Sequence, residues 1–180
     1  MTNAELNKLR FPIGLFSCPE QISKNHIRAW TGVLEQFPNR LEQLVASLND
    51  TQLDTAYRPD GWTIRQVVHH VADSHHHSYI RFKWALTEDK PVIKYYYEHL
   101  WVELYDAKYG RIELSINHLK SEHLKLVYLI KSLNKYDLNK CFIHPEHKEE
   151  VALKKNIGIY AWHCNHHYAH IENLIKRESW

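Results

Sequence analysis

Trp162-His163-Cys164-Asn165-His166-His167-Tyr168-Ala169-His170 carries four histidines in eight residues, and this stretch decides how the chain is read. At about 100° per residue, His163, His166, His167 and His170 share an arc of roughly 100° on one helix face. His163 and His167 lie one turn apart, so their ring nitrogens can converge on a single ion. A pair makes a weak site, and a third ligand has to come from elsewhere in the chain.

The second cluster is His69-His70-Val71-Ala72-Asp73-Ser74-His75-His76-His77. His70, Asp73 and His77 fall within an arc of roughly 60°, whereas His69 and His76 lie about 100° and 120° round from His70. His75 lies further still and is expected in solvent. Val67, Val71, Ser74 and Ser78 flank the His70 face, which is therefore read as inward, with His70 as the third ligand. Asp73, one turn on, is a candidate to accept a hydrogen bond from a ligand's second nitrogen and fix its tautomer; the alternative is a solvated carboxylate. His77, His166 and His170 share the general orientation, as ligands, supporting donors or pocket lining. A row of mutually repelling, easily protonated side chains on an inner face is otherwise hard to stabilise, which is the case for a metal.

Both clusters sit in helical patterns. Apolar residues recur at three- and four-residue steps over about 23–48, from Ile27 and Trp30 through Leu34, Phe37 and Leu41 to Leu48, with Pro38 expected to kink or split that helix. A second helix begins at the capping box formed by Thr63 and Gln66 and runs to about 86. A third covers about 111–133, with Ile112, Ile116, Leu119, His123, Leu126, Val127 and Ile130 inward, and the fourth about 154–177. Convincing strand alternation is absent. An aromatic-rich connection spans 91–101, and a second spans 141–147, ending on His147. The expectation is an all-α fold, a four-helix bundle with long loops, whose interior commonly hosts metal.

Length and composition limit the alternatives. A chain of 180 residues, 44% apolar, suits one domain with one core, residues 1–180, of which 1–20 form an N-terminal arm. The 23 basic and 21 acidic residues are interspersed and leave a formal charge of +2, which argues against a nucleic-acid partner. No apolar run suggests export or a membrane, so the cytoplasm is the expected compartment. Cys18, Cys141 and Cys164 are odd in number and widely spaced, which fits reduced thiols.

The chain resembles the DinB/YfiT-like metal-dependent hydrolases, and within them the YfiT branch associated with bacillithiol transferases. The resemblance is carried by Phe11-Pro12-Ile13-Gly14, by Gly61-Trp62-Thr63-Ile64-Arg65-Gln66-Val67-Val68-His69-His70 with Asp73-Ser74-His75, and by Tyr79-Ile80-Arg81-Phe82-Lys83. His144-Pro145 and Tyr160-Ala161-Trp162-His163 with His166, His167 and His170 complete it. It implies an up-down-down-up bundle, a homodimer, and one divalent ion held by His70, His163 and His167, the set that spacing favours. The aromatic segment 95–101 and the arm around Phe11 are the candidate dimer contacts. His76 and His77 occupy positions that need not be histidine in the family, leaving open an added ligand or an altered pocket.

Three imidazoles leave a position open on the ion, the pattern of a catalytic site. Zn²⁺ is the expected ion and Ni²⁺ the second choice. In one reading the ion binds a small-molecule thiol and presents it to an electrophile for S-transfer, with Arg65, Arg81 or a loop lysine steadying a carboxylate on the thiol. In the other, water on the ion attacks a small hydrolysable ester or amide, with Asp73, His166 and His170 as candidate proton shuttles. The resemblance tilts the choice to thiol transfer. A non-catalytic metal-binding stress protein and a histidine store are further readings. Cys164 points roughly 100° away from His163 and is read as a small hydrophobe, not a nucleophile.

Overall fold

The computed structural model describes residues 2–146 and 148–180; Met1 and His147, the last residue of the second connection, lie outside the described residues. The chain runs through α1 (Asn3–Arg10), α2 (Lys24–Val45), α3 (Asp50–Leu53), α4 (Ile64–Thr87), α5 (Glu98–Trp101) and α6 (Tyr105–Tyr109). It continues through α7 (Ile112–Ser132), α8 (Lys135–Asn139), β1 (Cys141–His144), β2 (Glu149–Ala152) and α9 (Leu153–Glu178). The N-terminal arm thus contains a helix of its own. No helix among the described residues is long and apolar enough to cross a membrane.

The four long helices form a four-helix bundle, and side-chain contacts give their directions. His69 meets Ser115 and His76 meets Glu122, so α4 and α7 run parallel. His70 meets His163 and Arg81 meets Tyr160, so α4 and α9 are antiparallel. Glu42 pairs with Lys120 and Glu35 with Lys131, which makes α2 and α7 antiparallel. Arg40 reaches Asn165 while Trp30 lies against Gly158, so α2 and α9 are parallel. The order is up-down-down-up, as the resemblance implies. A Cβ on Gly158 would come within 2.9 Å of the Trp30 ring, so only glycine lets α9 approach α2 this closely.

Leu34, Phe37 and Leu41 of α2, Ile64, Val67, Val71 and Phe82 of α4, Leu119 and Leu126 of α7, and Ile157, Ile171 and Leu174 of α9 fill the centre. Each such side chain contributes on the order of 1.5–3 kcal/mol of apolar transfer energy. The capping box forms as the sequence predicts: Thr63 Oγ1 accepts from the Gln66 amide at 3.1 Å and Gln66 Oε1 from the Thr63 amide at 2.9 Å.

Two expectations are corrected. Of the kink or split expected at Pro38, the split does not occur, because α2 continues through it to Val45. The missing amide instead leaves the Leu34 carbonyl without its helical donor, and His123 of α7 takes that place. The second connection is not loop alone. Cys141–His144 pairs antiparallel with Glu149–Ala152, and the first connection joins it, the Ile93 amide donating to the Ile143 carbonyl and the Ile143 amide to the Pro91 carbonyl. The alternation over four-residue strands is too short to read beside the helical periods.

Candidate metal centre

His70 of α4 and His163 and His167 of α9 come together in the bundle, their ring nitrogens within 4.8 Å of one another. His70 Nε2 stands 3.3 Å from His163 Nε2. Three imidazoles on a tetrahedral Zn²⁺ with bonds of about 2.0–2.1 Å would have nitrogens about 3.4 Å apart, which the His70–His163 spacing matches. His70 and His167 are buried, and His163 keeps some contact with solvent. Trp62, from the turn that caps α4, lies 4.6 Å from the His70 ring and 6.3 Å from the His167 ring, and walls the site.

Hydrogen-bond partners assign the tautomers of both α9 histidines of this group. The Leu34 carbonyl, freed by Pro38, can only accept, so His123 Nδ1–H donates to it at 2.6 Å. His123 Nε2 then accepts from His75 Nδ1–H at 2.9 Å. His75 Nε2 in turn accepts from His163 Nδ1–H at 3.2 Å. A neutral His163 is thereby left with a bare lone pair on Nε2. A shorter relay does the same for His167: His170 Nε2–H donates to the Arg10 carbonyl at 3.1 Å, and His170 Nδ1 accepts from His167 Nδ1–H at 3.4 Å. Fixing the tautomer of a ligating imidazole through its second nitrogen is the usual support for a metal site.

Burial keeps these rings neutral, the form that binds metal. It pushes His70 down to about 3, helped by the charges of His166 and His170, and lowers His163 and His167 well below the usual histidine value. His123 is pushed down to about 4 by burial, and His75 falls well below the usual value for the same reason.

The other sequence candidates fall in different places. His75, expected in solvent, is instead fully buried, because α4 is covered by α7 on one side and α9 on the other. It has the tautomer-fixing place for which the sequence offers Asp73 as a candidate. Asp73 makes no hydrogen bond to the three histidines among the described residues; burial and Asp106 push its carboxyl up to about 6. His170 stands behind His167, stacked on Tyr57 at 4.1 Å. His166 packs on Trp162 at 4.5 Å, and its Nδ1 is buried without a hydrogen-bond partner. His77 is stacked on Tyr96, while His76 pairs with Glu122.

Arg65 is not available to a substrate, since it donates to Asp54 at 2.6 Å and Asp50 at 2.8 Å and holds α3 on α4. Arg81 donates to the Tyr160 hydroxyl at 3.2 Å. Cys164 is buried, which pushes its thiol well above the usual range, and its Sγ lies 3.9 Å from His75 Nε2. Sequence reasoning misses His123 as a support, although a histidine on an apolar helix face and a proline four residues after Leu34 are both visible in the chain.

Residues 34–171 match the DinB superfamily. A "Putative metal-dependent hydrolase" of Bacillus cereus (strain 03BB102) is 49% identical over 175 residues, covering 97% of this chain and 100% of the relative. One of the same name from Oceanobacillus iheyensis is 46% identical over 171 residues, covering 95% and 98%. Among solved structures, YfiT from Bacillus subtilis, described as "a probable metal-dependent hydrolase with an unusual four-helix bundle topology", is 44% identical with a TM-score of 0.94, covering 96% of this chain and 99% of YfiT.

Proposed function

The chain belongs to the DinB superfamily, and on that footing we propose that it is a metal-dependent enzyme whose ion, Zn²⁺ before Ni²⁺, is held by His70, His163 and His167. The observation that carries this is the pair of relays, which leave His163 Nε2 and His167 Nε2 unprotonated beside His70 Nε2. A divalent ion bound there supplies Lewis acidity, drawing the pKa of a thiol or a water toward neutrality. His75 and His170 orient the ligands, and Trp62 and the half-buried rim at His163 shape the approach.

We favour S-transfer from a small-molecule thiol to an electrophile. Among the described residues, the hydrogen bonds of the three histidines go to other imidazoles and none to a carboxylate. Attack by water needs a positioned general base, whereas a thiolate is already the nucleophile. Hydrolysis is the second reading, favoured by the names of the relatives; its base would be His166, whose buried Nδ1 is unpartnered, with Asp73 and His170 further off in role. A cytoplasmic homodimer completes the proposal, with exposed Phe11, Tyr97 and Leu100 as contact residues; sedimentation of a monomer at micromolar concentration would remove the dimer.

The test uses protein purified without nickel, stripped and reloaded with zinc. Turnover of monochlorobimane with one member of a thiol panel, dependent on zinc and lost in His163→Ala, is the expected result. Zinc-dependent cleavage of an ester or amide without thiol transfer would establish the second reading. Neither activity in a zinc-loaded, folded protein would overturn the enzyme proposal.

A further inference from the structure

A second group of ligating side chains stands where α4 meets α7, apart from the three histidines of the interior centre. His76 Nδ1 lies 2.8 Å from Glu122 Oε1, and His118 Nε2 lies 3.6 Å from Glu122 Oε2. The ligand atoms of all three residues fall within 4.8 Å of one another, and the two imidazole rings are 5.4 Å apart. His118 and Glu122 are i,i+4 on α7, so both project from one face toward α4.

Glu122 is the unusual member. It is only 5% exposed, and its Oε2 is buried with no hydrogen-bond partner. A desolvated carboxylate oxygen without a partner is costly. His76 satisfies only the other oxygen, and His118, at 3.6 Å from Oε2, and Lys125 act on the carboxylate electrostatically without hydrogen-bonding to it. The two imidazoles are about half exposed, at 45% and 50% of their side chains, so an ion can enter from solvent and retain water.

We propose that His76, His118 and Glu122 form a second binding site, for a borderline divalent cation of the zinc class, that clamps α4 to α7. Two imidazoles and one carboxylate suit Zn²⁺, Ni²⁺ or Cu²⁺, whereas Ca²⁺ and Mg²⁺ prefer oxygen ligands throughout. The cation replaces the proton shared by His76 and Glu122 and gives the orphaned Oε2 a partner. It also grips the same two helices one residue along from the His75–His123 contact, so its occupation stiffens the support of His163.

The proposal does not depend on the reaction. Zn²⁺ is titrated calorimetrically into the metal-stripped full chain. Wild type should take up two ions per chain and His118→Ala one, the second event weakening at least about tenfold, as loss of a direct ligand should cost no less than loss of a supporting residue. His70→Ala/His163→Ala should retain the second event. His99→Ala, which removes an exposed histidine elsewhere, should change neither. Two undiminished events in His118→Ala, an equal loss in His99→Ala, or no zinc uptake by the folded double variant would overturn the proposal. Should the double variant fail to fold, the comparison of His118→Ala with wild type decides alone, because His118 lies on the surface.

Discussion

Two neighbours on α4, His75 and His76, face the same helix α7 and meet adjacent residues of it, yet their surroundings differ in kind. His75 is fully buried and bonded to another imidazole, His123. His76 is half exposed and bonded to a buried carboxylate, Glu122. Inside the bundle, desolvation is the largest influence, reinforced by neighbouring imidazoles: the rings stay neutral, and a neutral imidazole between a fixed donor and a fixed acceptor has one tautomer. At the edge, solvent supplies protons and ions, and the carboxylate sets a demand for positive charge. One residue of rotation separates a relay that orients His163 from a pair proposed to take a cation itself.

The largest effect should come from the centre that the inner relay serves. If His70 is the ligand proposed, His70→Ala lowers zinc affinity at the interior site by at least about a hundredfold and abolishes turnover, since the supports of metal sites are themselves worth about 10–100-fold. Retained metal and activity in that variant would dissolve the contrast between the two regions.

Next is the relay itself. His123→Ala leaves His70, His163 and His167 in place but strips the Leu34 carbonyl and His75 of their partners. Interior metal affinity should fall by about 10–100-fold, and the metal-free protein should lose on the order of 1–3 kcal/mol. Affinity and melting temperature are to be measured together. A fall in melting temperature with unchanged affinity would reduce His123 to packing.

Acid should act through the buried imidazoles. His70 and His123 have folded values of about 3 and 4, far below the ordinary 6.5. The unfolded chain therefore binds more protons, and the stability of the metal-free protein falls as pH drops from about 6.5 toward 4. Each of these two rings accounts for about 2 kcal/mol at pH 5. Asp73, raised to about 6 from 3.8, and Glu122, whose buried carboxyl is also raised, work in the opposite sense, losing stability as pH rises through that window, but they are two groups against several lowered imidazoles. Denaturant midpoints at pH 7 and pH 5 check the sign; equal midpoints would mean that the interior rings are hydrated.

The smallest effect is expected at Cys164. Cys164→Ala should leave turnover within about twofold and cost about 1 kcal/mol of stability, the ordinary toll of a core truncation. Loss of activity with zinc still bound would make the thiol a participant.

Much of this architecture is legible in the chain's own pattern. The 3.6-residue period locates the four long helices, the Thr63–Gln66 box marks the start of α4, and i,i+4 spacing pairs His163 with His167. The YfiT-like resemblance supplies the up-down-down-up order that the contact registers bear out. The β1–β2 hairpin escapes because four-residue strands carry little pattern. An arc measured against His70 alone favours Asp73 over His75 as the support, whereas α4 is covered on both sides.

The sequence by itself determined which residues share a helix face, because that follows from rotation per residue and needs no partner. Only the tertiary structure decided which faces are buried, and with them the protonation of every histidine in the interior centre. The role of Pro38 shows why. A missing amide is written in the sequence, but the vacant Leu34 carbonyl acquires a use only when α7 brings His123 within 2.6 Å of it. Desolvation and hydrogen-bond partners are properties of surroundings, and surroundings exist only once the helices have packed.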